Sequence, residues 1–535
     1  MEDMKRRAVE RLRDVEERIF EPGWALLLIT SVAFAIRLLP MRFKYLLGYD
    51  PYFHLAYIRY ALEKGEWVNF FPYAIGPWGF QIKLFHPLGL WMTPAYIYKF
   101  LSPFGVSLYN SFRITPVIFG VLTVLLLYFT ILRLYGKIEA FLSAFFLSVS
   151  FGHVFRSMAG YYRGDNYMLF WYALSLLGIG LALSLKDPRK ERLRLAFYIL
   201  PGLSAGFASA FWQAYYPIFG ILLANALLLS VGAFLLRRDR YILDGLLLAV
   251  SLILSVFTAN WIGGRLGYGM LGENRWLGKK LAEVMGFHFS VIKDAFLFIF
   301  LKYALLPSII ALLLLLLLSR FIDDRRIRIG VIGAVLLTFA LLFVKYYGTF
   351  EGFLSGIFVQ APITETQRTG LKDWWEAYGV SGFLIPLFFL RFRKPRVADF
   401  LLLGTLTVLL PMALIWTRFL FIGSFAVAFM AGLGLVECYR LLSRITTSFK
   451  RIPERYISLA LILIFMSLPL ASAYQGTVRT LSVKPFMNEH WERALTYLGS
   501  HSSINDVVLT WWDQGHWVTY YAMRAPVAQG GPSRW

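Results

Sequence analysis

Long apolar runs separated by short polar connections repeat along almost the whole chain. We count about thirteen runs long enough to cross about 30 Å of hydrocarbon. Such runs must be helical, because lipid offers no partner for open backbone hydrogen-bonding groups. The pattern therefore predicts an all-α polytopic membrane protein with about 13 transmembrane helices. The runs are 24–40, 112–134, 138–155, 167–186, 194–211, 213–236, 242–262, 295–320, 327–346, 380–392, 397–417, 418–443 and 456–474.

Composition supports this class and excludes others. Hydrophobic residues make up 58% and charged residues 16% of the chain, and the mean hydropathy is +0.59. A soluble domain carries about 25% charged residues. The net charge of +22 alone would suggest nucleic acid. Because the excess lies in short patches between apolar runs, we predict no nucleic-acid partner. The single cysteine, Cys438, excludes an intrachain disulfide and a cysteine-based zinc cluster.

Lysine and arginine are concentrated in the N-terminal segment and in every second connection. The positive-inside rule places these clusters, and with them the N-terminus, in the cytoplasm. They lie at 5–18, 186–194, 237–240, 320–328, 391–396 and 440–455. The long connections 41–111, 261–294 and 347–379 are then external, as is the tail. We divide the chain into a transmembrane domain, 1–474, and an external C-terminal segment, 475–535.

Polar motifs fall on the predicted external side. The motif residues are Asp50 in GYDPYFH, Asp165 in GYYRGDN, Glu365 in PITE, Arg418 in an apolar run, and Trp511, Trp512 and Asp513 in WWDQGHW. Each motif also has a purely structural interpretation. The aspartates could be helix N-caps, or Asp165 could form a surface ion pair with Arg163. Glu365 could lie in a solvated loop, the tryptophans could belong to an aromatic belt at the membrane surface, and Arg418 could extend its charge to that surface.

These residue types indicate a class of chemistry. Carboxylates without cysteine ligands favour a hard divalent cation, Mg²⁺ or Mn²⁺, bound through oxygen. A neighbouring arginine suits a phosphate. Together with the membrane, they predict a lipid-phosphate donor whose headgroup is transferred on the external side. Two glycine patterns at 267–280 resemble nucleotide-binding loops, but no strand precedes them and they are interpreted as chance.

The ordered set of motifs, over essentially the whole chain, resembles the oligosaccharyltransferase catalytic subunit family, in an archaeal-like form. WWDxG is the most specific element. The resemblance implies a GT-C type glycosyltransferase fold. It also implies transfer of an oligosaccharide from a dolichyl (polyprenyl) phosphate or pyrophosphate to the Asn amide of Asn-X-Ser/Thr in proteins, with inversion and divalent-metal dependence. The enzyme would lie in the cell membrane, if archaeal, with its active site on the extracytoplasmic face.

The resemblance further implies a role for each motif residue. Asp50 and Glu365 would bind the acceptor amide and, with Asp165, the metal. Arg418 would bind the donor phosphate. The pocket for the acceptor Ser/Thr hydroxyl would consist of Trp511, Trp512 and Asp513.

The chain also departs from the family pattern. The second motif normally has two acidic positions, and here Arg163 takes one of them, or Tyr167 does if the alignment shifts by two. Pro362 replaces the usual Thr or Ser, and Gln514 the usual Tyr. The chain ends 18 residues after Trp517, whereas the family continues, so we expect the external C-terminal segment to be truncated.

Two other functions fit parts of the sequence. A polyprenyl-phosphate-sugar glycosyltransferase acting on Ser/Thr or lipid would share an acidic motif after the first span, but would leave WWDQG and PITE unexplained. A polytopic transporter would also carry charges among its helices. It should then show inverted repeats or broken helices around a midplane site, which the sequence does not indicate.

Overall fold

The computed structural model describes residues 21–84, 86–266, 295–348, 365, 367–446 and 454–529. Some predicted features lie outside these residues. They are the basic segment at 5–18, the glycine patterns at 267–280, and Pro362, Ile363 and Thr364 of PITE.

Helices dominate the described residues. The α-helices are Pro22–Leu38, Asp50–Lys64, Gly89–Leu101, Leu108–Leu134, Lys137–Val149, Phe151–Ser157, Asp165–Ser184, Glu191–Ala196, Ile199–Phe207, Pro217–Leu235, Arg240–Leu266, Ala295–Ile299, Leu306–Phe321, Arg325–Lys345, Leu371–Tyr378, Val397–Ile415, Leu420–Thr446, Glu454–Ser482, Glu489–His501 and Gly515–Trp517. The 3₁₀ segments are Leu39–Arg42, Ile82–Leu84, Ser102–Phe104, Pro188–Lys190, Ala208–Ala210, Gly379–Phe383, Ile385–Arg393 and Thr417–Phe419. The π segments are Phe300–Leu305 and Val518–Ala522.

Within the described residues, 11 helices are long and apolar enough to cross a membrane. The pair Lys137–Val149 and Phe151–Ser157, bent by 60°, is a further candidate span. These match the predicted runs except 380–392. That run forms two 3₁₀ segments, Gly379–Phe383 and Ile385–Arg393, and not the predicted spanning helix. It is too short for a straight span, so its apolar side chains pack beside a longer helix, Leu420–Thr446.

The helices differ in how deeply they lie in the bundle. The span Thr417–Ile445 is central, since 89% of its most apolar stretch is buried by protein, whereas the corresponding figure for Arg325–Lys345 is 6%. The hydrophobic core accordingly joins Leu420–Thr446 to Lys137–Val149, Pro217–Leu235 and Val397–Ile415. A peripheral apolar helix of this kind fits a lipid surround.

A buried arginine fixes the bend in the pair Lys137–Val149 and Phe151–Ser157. Arg37 donates hydrogen bonds to Ser157 Oγ at 2.9 Å and to the Ser148 carbonyl at 2.9 Å, and its Nη2 lies 2.6 Å from His153 Nδ1. A buried guanidinium is costly unless such partners satisfy it. The network ties the first span to both sides of the bend and so fixes the chain that follows Ser157.

Basic connections from different parts of the chain meet in one crevice. Lys186, Arg238 and Arg396, from three of the predicted cytoplasmic clusters, line a single crevice together with Arg133. The motif residues Asp50, Asp165 and Glu365 form ion pairs around two arginines that do not line this crevice. The basic crevice is therefore distinct from the cluster of motif residues.

The chain after the last long helix packs on the first long loop. Thr519 Oγ1 donates to the Tyr73 carbonyl at 2.8 Å, and Gly76 N donates to the Pro526 carbonyl at 2.8 Å. In the described residues the strands are Phe70–Phe71 paired with Phe80–Gln81, antiparallel, and Val507–Val508 paired with Ala525–Pro526, parallel. The helix Glu454–Ser482 continues past the predicted boundary at 474, so the domain division stays a prediction.

Candidate active site

Two arginines alternate with three of the predicted acidic residues. Arg163 Nη1 lies 3.6 Å from Asp50 Oδ2 and donates a hydrogen bond to Glu365 Oε1 at 2.9 Å. Arg156 Nη2 donates to the same Glu365 oxygen at 3.0 Å, and its Nη1 lies 3.6 Å from Asp165 Oδ2. The charged groups therefore form one continuous chain, from Asp50 to Asp165.

Backbone contacts bring the first two motifs together. Leu47 N donates to the Gly160 carbonyl at 3.1 Å, and Gly160 N donates to the Arg113 carbonyl at 3.1 Å. Gly160 has φ +82°, a conformation that glycine adopts without the strain of a Cβ. These bonds fix the chain before Asp50 against the chain before Asp165.

Both aspartates begin a helix without capping it. Asp50 is the first residue of Asp50–Lys64, followed by Pro51, and Asp165 is the first residue of Asp165–Ser184. The N-cap residue of neither helix makes a side-chain capping bond, so the N-cap interpretation is wrong. A negative charge in the first turn is still favoured by the helix dipole.

Glu365 reaches the row of ion pairs because the residues after it are fixed to the turn that carries Arg418. Thr417 N donates to the Gln367 carbonyl at 3.0 Å. Thr369 Oγ1 donates to the Ala413 carbonyl at 2.6 Å. The solvated-loop interpretation of Glu365 is therefore wrong, since two guanidinium groups contact its carboxylate.

Asp165 lies deeper than the other two carboxylates. It is 1% exposed, and among the described residues neither of its carboxylate oxygens has a hydrogen-bond partner. Its partner is Arg156, which is also buried and donates to Tyr161 Oη at 2.8 Å. The predicted surface pair of Arg163 with Asp165 is wrong, because Arg163 pairs instead with Glu365 and Asp50.

The arginines keep the two outer carboxylates ionised. Burial alone would raise the pKa of Glu365, but Arg156, Arg163 and Arg418 lower that pKa to about 2. Burial likewise opposes ionisation of Asp50, and the charge of Arg163 holds its pKa below the usual value. Both side chains are therefore acceptors, not proton donors, near neutral pH.

A cavity of about 200 Å³ opens beside the row of ion pairs. It is lined by Asp50 and Arg163, by Arg418, and by histidine and tryptophan side chains. Gly164 also lines it, and a Cβ at that position would lie 2.3 Å from Trp212 Cδ1, so only glycine fits. The cavity thus places the predicted phosphate-binding arginine beside the predicted acceptor-binding aspartate.

Two buried histidines of the cavity are neutral. Burial lowers the pKa of His54 to about 3, and His54 Nδ1 accepts a hydrogen bond from Trp91 Nε1 at 3.0 Å. Burial also lowers the pKa of His516, whose Nε2 lies 3.5 Å from Asp50 Oδ1. Gln529 Nε2 lies 3.1 Å from His516 Nδ1, an arrangement that leaves Nε2 to carry the proton toward Asp50.

The WWDQGHW motif lies next to the same helix start. Trp517 is buried and its ring centroid is 4.9 Å from that of Tyr49, the residue before Asp50. Burial, and then the charge of Asp50, raises the pKa of Asp513. Trp511 and Trp512 are 68% and 42% exposed. Their rings are accessible to a partner molecule, while the rest of the motif is anchored.

Comparison with known proteins identifies the family. No family model matches the chain. Dolichyl-phosphooligosaccharide-protein glycotransferase 2 of Pyrococcus horikoshii is 52% identical over 514 residues, which cover 95% of this chain and 67% of that protein. The chain belongs to the dolichyl-phosphooligosaccharide-protein glycotransferase family. The corresponding glycotransferase of Pyrococcus furiosus is 50% identical over 513 residues, covering 95% of this chain and 66% of that protein. The chain thus spans about two thirds of the length of these relatives.

Solved structures agree with this glycotransferase fold. The oligosaccharyltransferase AglB from Archaeoglobus fulgidus, in complex with an inhibitory peptide and a dolichol-phosphate, has a TM-score of 0.69 at 18% identity. The match covers 95% of this chain and 64% of that one. Its complex with Zn and sulfate has a TM-score of 0.66 at 19% identity, covering 95% of this chain and 62% of that one. The predicted polytopic membrane glycosyltransferase fold is confirmed.

The carboxylates of this glycotransferase do not fit a metal site as they are placed. A divalent ion needs several oxygen ligands converging on one point. Among the described residues, no group of three or more His, Cys, Asp or Glu side chains is arranged to hold a metal. Guanidinium nitrogens lie between Asp50, Glu365 and Asp165 instead.

Sequence reasoning missed several side chains of the glycotransferase site. Arg156 stands seven residues before Arg163 in the RSMAGYYRGDN motif, and no spacing rule connects it to Glu365. His516 belongs to WWDQGHW but received no role. The available indication of the ion pairs was the presence of two arginines, Arg156 and Arg163, in one motif of a chain whose other motifs are acidic.

Proposed function

We propose that the protein transfers an oligosaccharide from a dolichyl (polyprenyl) phosphate or pyrophosphate to the side-chain amide of Asn in Asn-X-Ser/Thr, on the extracytoplasmic face. Family membership supports the reaction class. Related structures are described with a dolichol-phosphate and an inhibitory peptide, and with a tethered acceptor peptide containing the NVT sequon. The donor and the acceptor are extended from these relatives to this chain, and the side of the membrane is inferred from the positive-inside rule.

One observation carries the proposal: Asp50 and Glu365 approach the same guanidinium nitrogen. Their oxygens lie 3.6 Å and 2.9 Å from Arg163 Nη1, so two ionised carboxylates from distant segments face one small volume. An amide NH₂ carries two N–H donors. A side-chain amide beside this guanidinium, at the oxygens that Arg163 leaves open, meets one acceptor for each N–H.

Hydrogen bonds to both carboxylates would make the amide nitrogen a better nucleophile. An amide nitrogen is a poor one because its lone pair is delocalised into the carbonyl. Asp50 and Glu365, each accepting one N–H, would favour a twisted C–N bond and a localised lone pair. The nitrogen then attacks the anomeric carbon, a C–N bond forms and the bond from that carbon to the phosphate oxygen breaks. The configuration inverts, the leaving phosphate keeps the electron pair, and one of the two carboxylates takes the proton that the nitrogen loses.

Arg418 is the residue for the donor phosphate. Its side chain lines the cavity that Asp50 also lines. A planar guanidinium offers several donors to phosphate oxygens and stays charged at any working pH. There it would stabilise the negative charge that develops on the leaving group.

Trp511, Trp512 and Asp513 are proposed to read the acceptor hydroxyl. Their support is the exposure of both indole rings beside a buried anchor, Trp517, that contacts Tyr49. A pocket that hydrogen-bonds a hydroxyl rejects a side chain that lacks it. The pocket would hold the sequon so that its Asn reaches Asp50.

Dependence on Mg²⁺ or Mn²⁺ is implied by the family resemblance and is not used in any step above. Nothing observed favours a transporter, or a transferase acting on Ser/Thr or lipid.

The test is transfer from a lipid-linked oligosaccharide extract to a fluorescent Asn-X-Thr peptide by the purified protein, read by mass spectrometry. A Gln-X-Thr peptide is the control. Modification of the Asn peptide alone supports the proposal. No modification by folded protein with a matched donor overturns it.

A further inference from the structure

The carboxylates of the site are already neutralised by side chains. Arg163 contacts Asp50 and Glu365, and Arg156 contacts Glu365 and Asp165. Arg163 is itself largely buried, with 19% of its side chain exposed, so these contacts are poorly screened by water. Three negative and two positive groups therefore form a nearly balanced set.

We propose that the Arg163 guanidinium does in this protein what a divalent cation would do: it holds Asp50 and Glu365 together, and no divalent ion binds between them. The inference rests on the proposed function for its chemical meaning. It makes Arg163 a positioning residue for the two carboxylates that receive the acceptor amide.

Charge is the first argument. A divalent cation between these carboxylates would lie next to two guanidinium groups, and neither loses its charge, because Arg is not deprotonated in proteins. Like charges at such distances in a partly buried site repel strongly. For a metal to bind, both arginines would have to leave their carboxylates.

Geometry is the second argument. The Arg163 guanidinium contacts one oxygen of Asp50 and one of Glu365, and it leaves the second oxygen of each carboxylate for the substrate. Both arginines contact Oε1 of Glu365, and in the described part of the chain no hydrogen bond is made to its Oε2. Arg163 approaches Oδ2 of Asp50, and His516 lies near Oδ1. A metal that used both oxygens of these groups would compete with the amide for them.

The position of Arg163 is the third argument. Arg163 stands two residues before Asp165, in the motif whose resemblance to the family leaves either Arg163 or Tyr167 at an acidic position. Its side chain does not turn to the neighbouring Asp165 but contacts Asp50 and Glu365, which come from two other segments of the chain. The cation that joins the two carboxylates is therefore part of the chain itself.

The test measures metal binding and transfer separately on the purified full chain. Mn²⁺ binding is followed by electron paramagnetic resonance for wild type, Asp50→Asn, Arg163→Asp and, as a matched charge control, Arg189→Asp. Arg189 is exposed in the basic connection after the helix Asp165–Ser184, whose first residue is the motif residue Asp165. Size-exclusion profiles establish that each variant is folded.

We expect wild type and Asp50→Asn to bind Mn²⁺ equally weakly, and Arg163→Asp alone to gain affinity, by at least about tenfold. Tight Mn²⁺ binding by wild type that Asp50→Asn abolishes overturns the inference. This comparison stands even if Arg163→Asp does not fold.

Transfer to the Asn-X-Thr peptide with and without EDTA is the second readout. Undiminished transfer in EDTA supports the inference. Transfer that EDTA abolishes and Mn²⁺ restores overturns it and leaves the proposed function intact. If no transfer occurs under any condition, the proposed function fails, and the Mn²⁺ comparison still decides whether Arg163 excludes the ion. Arg163→Met, which removes the bridging cation and adds no ligand oxygen, should lower transfer at least about tenfold.

Discussion

Arg163 Nη1 donates a hydrogen bond to Glu365 Oε1 at 2.9 Å, although the two residues are 202 positions apart in the chain. The same nitrogen lies 3.6 Å from Asp50 Oδ2. Three segments that share no local sequence relationship therefore meet at one guanidinium. The proposed transfer chemistry follows from this meeting point, since it presents two ionised acceptors to one amide.

The buried pair of Arg156 and Asp165 should be essential for stability. Arg156→Ala leaves the carboxylate of Asp165, which is 1% exposed, without its cation. Breaking a buried pair in this way costs about 3–5 kcal/mol. Thermal unfolding in detergent should show a clear fall in the midpoint for Arg156→Ala. The double variant Arg156→Met/Asp165→Asn should recover much of it, and no recovery would mean that the pair is not the cause.

Removing Arg418 should weaken donor binding specifically. Arg418→Ala deletes the charge that we assign to the donor phosphate, and charged hydrogen bonds of this kind account for about 10- to 100-fold in affinity. The KM for the lipid-linked donor should rise by that factor, while the KM for the peptide changes little. Arg133→Ala is the matched control, because Arg133 lines the basic crevice and not the cavity of Arg418. It should change neither KM. A rise in the KM for the peptide alone would show that Arg418 contacts the acceptor and not the donor phosphate.

Trp512 should affect the acceptor and not the fold. It is 42% exposed, so Trp512→Ala should change the unfolding free energy by no more than about 0.5 kcal/mol. The KM for an Asn-X-Thr peptide should rise, and the preference for Thr over Ala at the third position should fall. Trp517→Ala is the contrasting variant, because its buried ring is expected to cost stability. Unchanged sequon preference in Trp512→Ala would remove this residue from the hydroxyl pocket.

Stability should fall as the pH drops below about 6.5. The pKa of His54 is about 3 in the folded protein against the ordinary histidine value of 6.5, so between these values the unfolded chain binds the extra proton. Stability from the neutral ring is fully present above pH 6.5 and declines below it, by up to about 2 kcal/mol at pH 5. Thermal midpoints from pH 7.5 to 5 measure this slope.

The matched variant is His54→Asn, whose side-chain oxygen replaces Nδ1 as acceptor for Trp91 Nε1. Its slope should be shallower than that of wild type, whereas His501→Asn at an exposed position should leave the slope unchanged. Equal slopes in wild type and His54→Asn would show that His54 is not a source of the pH dependence.

The periodic apolar runs predicted most of the spans, because length and hydropathy are properties of each segment alone. They failed at 380–392, where the side chains are apolar enough but the segment is too short, and two 3₁₀ segments form. The bend between Val149 and Phe151 was also not predictable, since it depends on Arg37 reaching Ser148 and Ser157 from another helix.

The site was predictable as a set of motifs but not as a set of contacts. Asp50, Glu365 and Arg418 were selected because polar residues near a membrane face are costly. Their arrangement depends on long-range contacts, such as the bond from Thr417 N to the Gln367 carbonyl. For the same reason the sequence favoured a metal among the carboxylates, whereas the structure directs arginine side chains at them.

The most direct measurement is the rate of transfer to an Asn-X-Thr peptide by wild type, Asp50→Asn, Glu365→Gln and the double variant. If both carboxylates act on one amide, each single change lowers kcat by about 10²- to 10⁴-fold. The double variant should then be no slower than the worse single one, since the two act as a unit. Substantial transfer by Asp50→Asn, or multiplying losses in the double variant, would contradict the account.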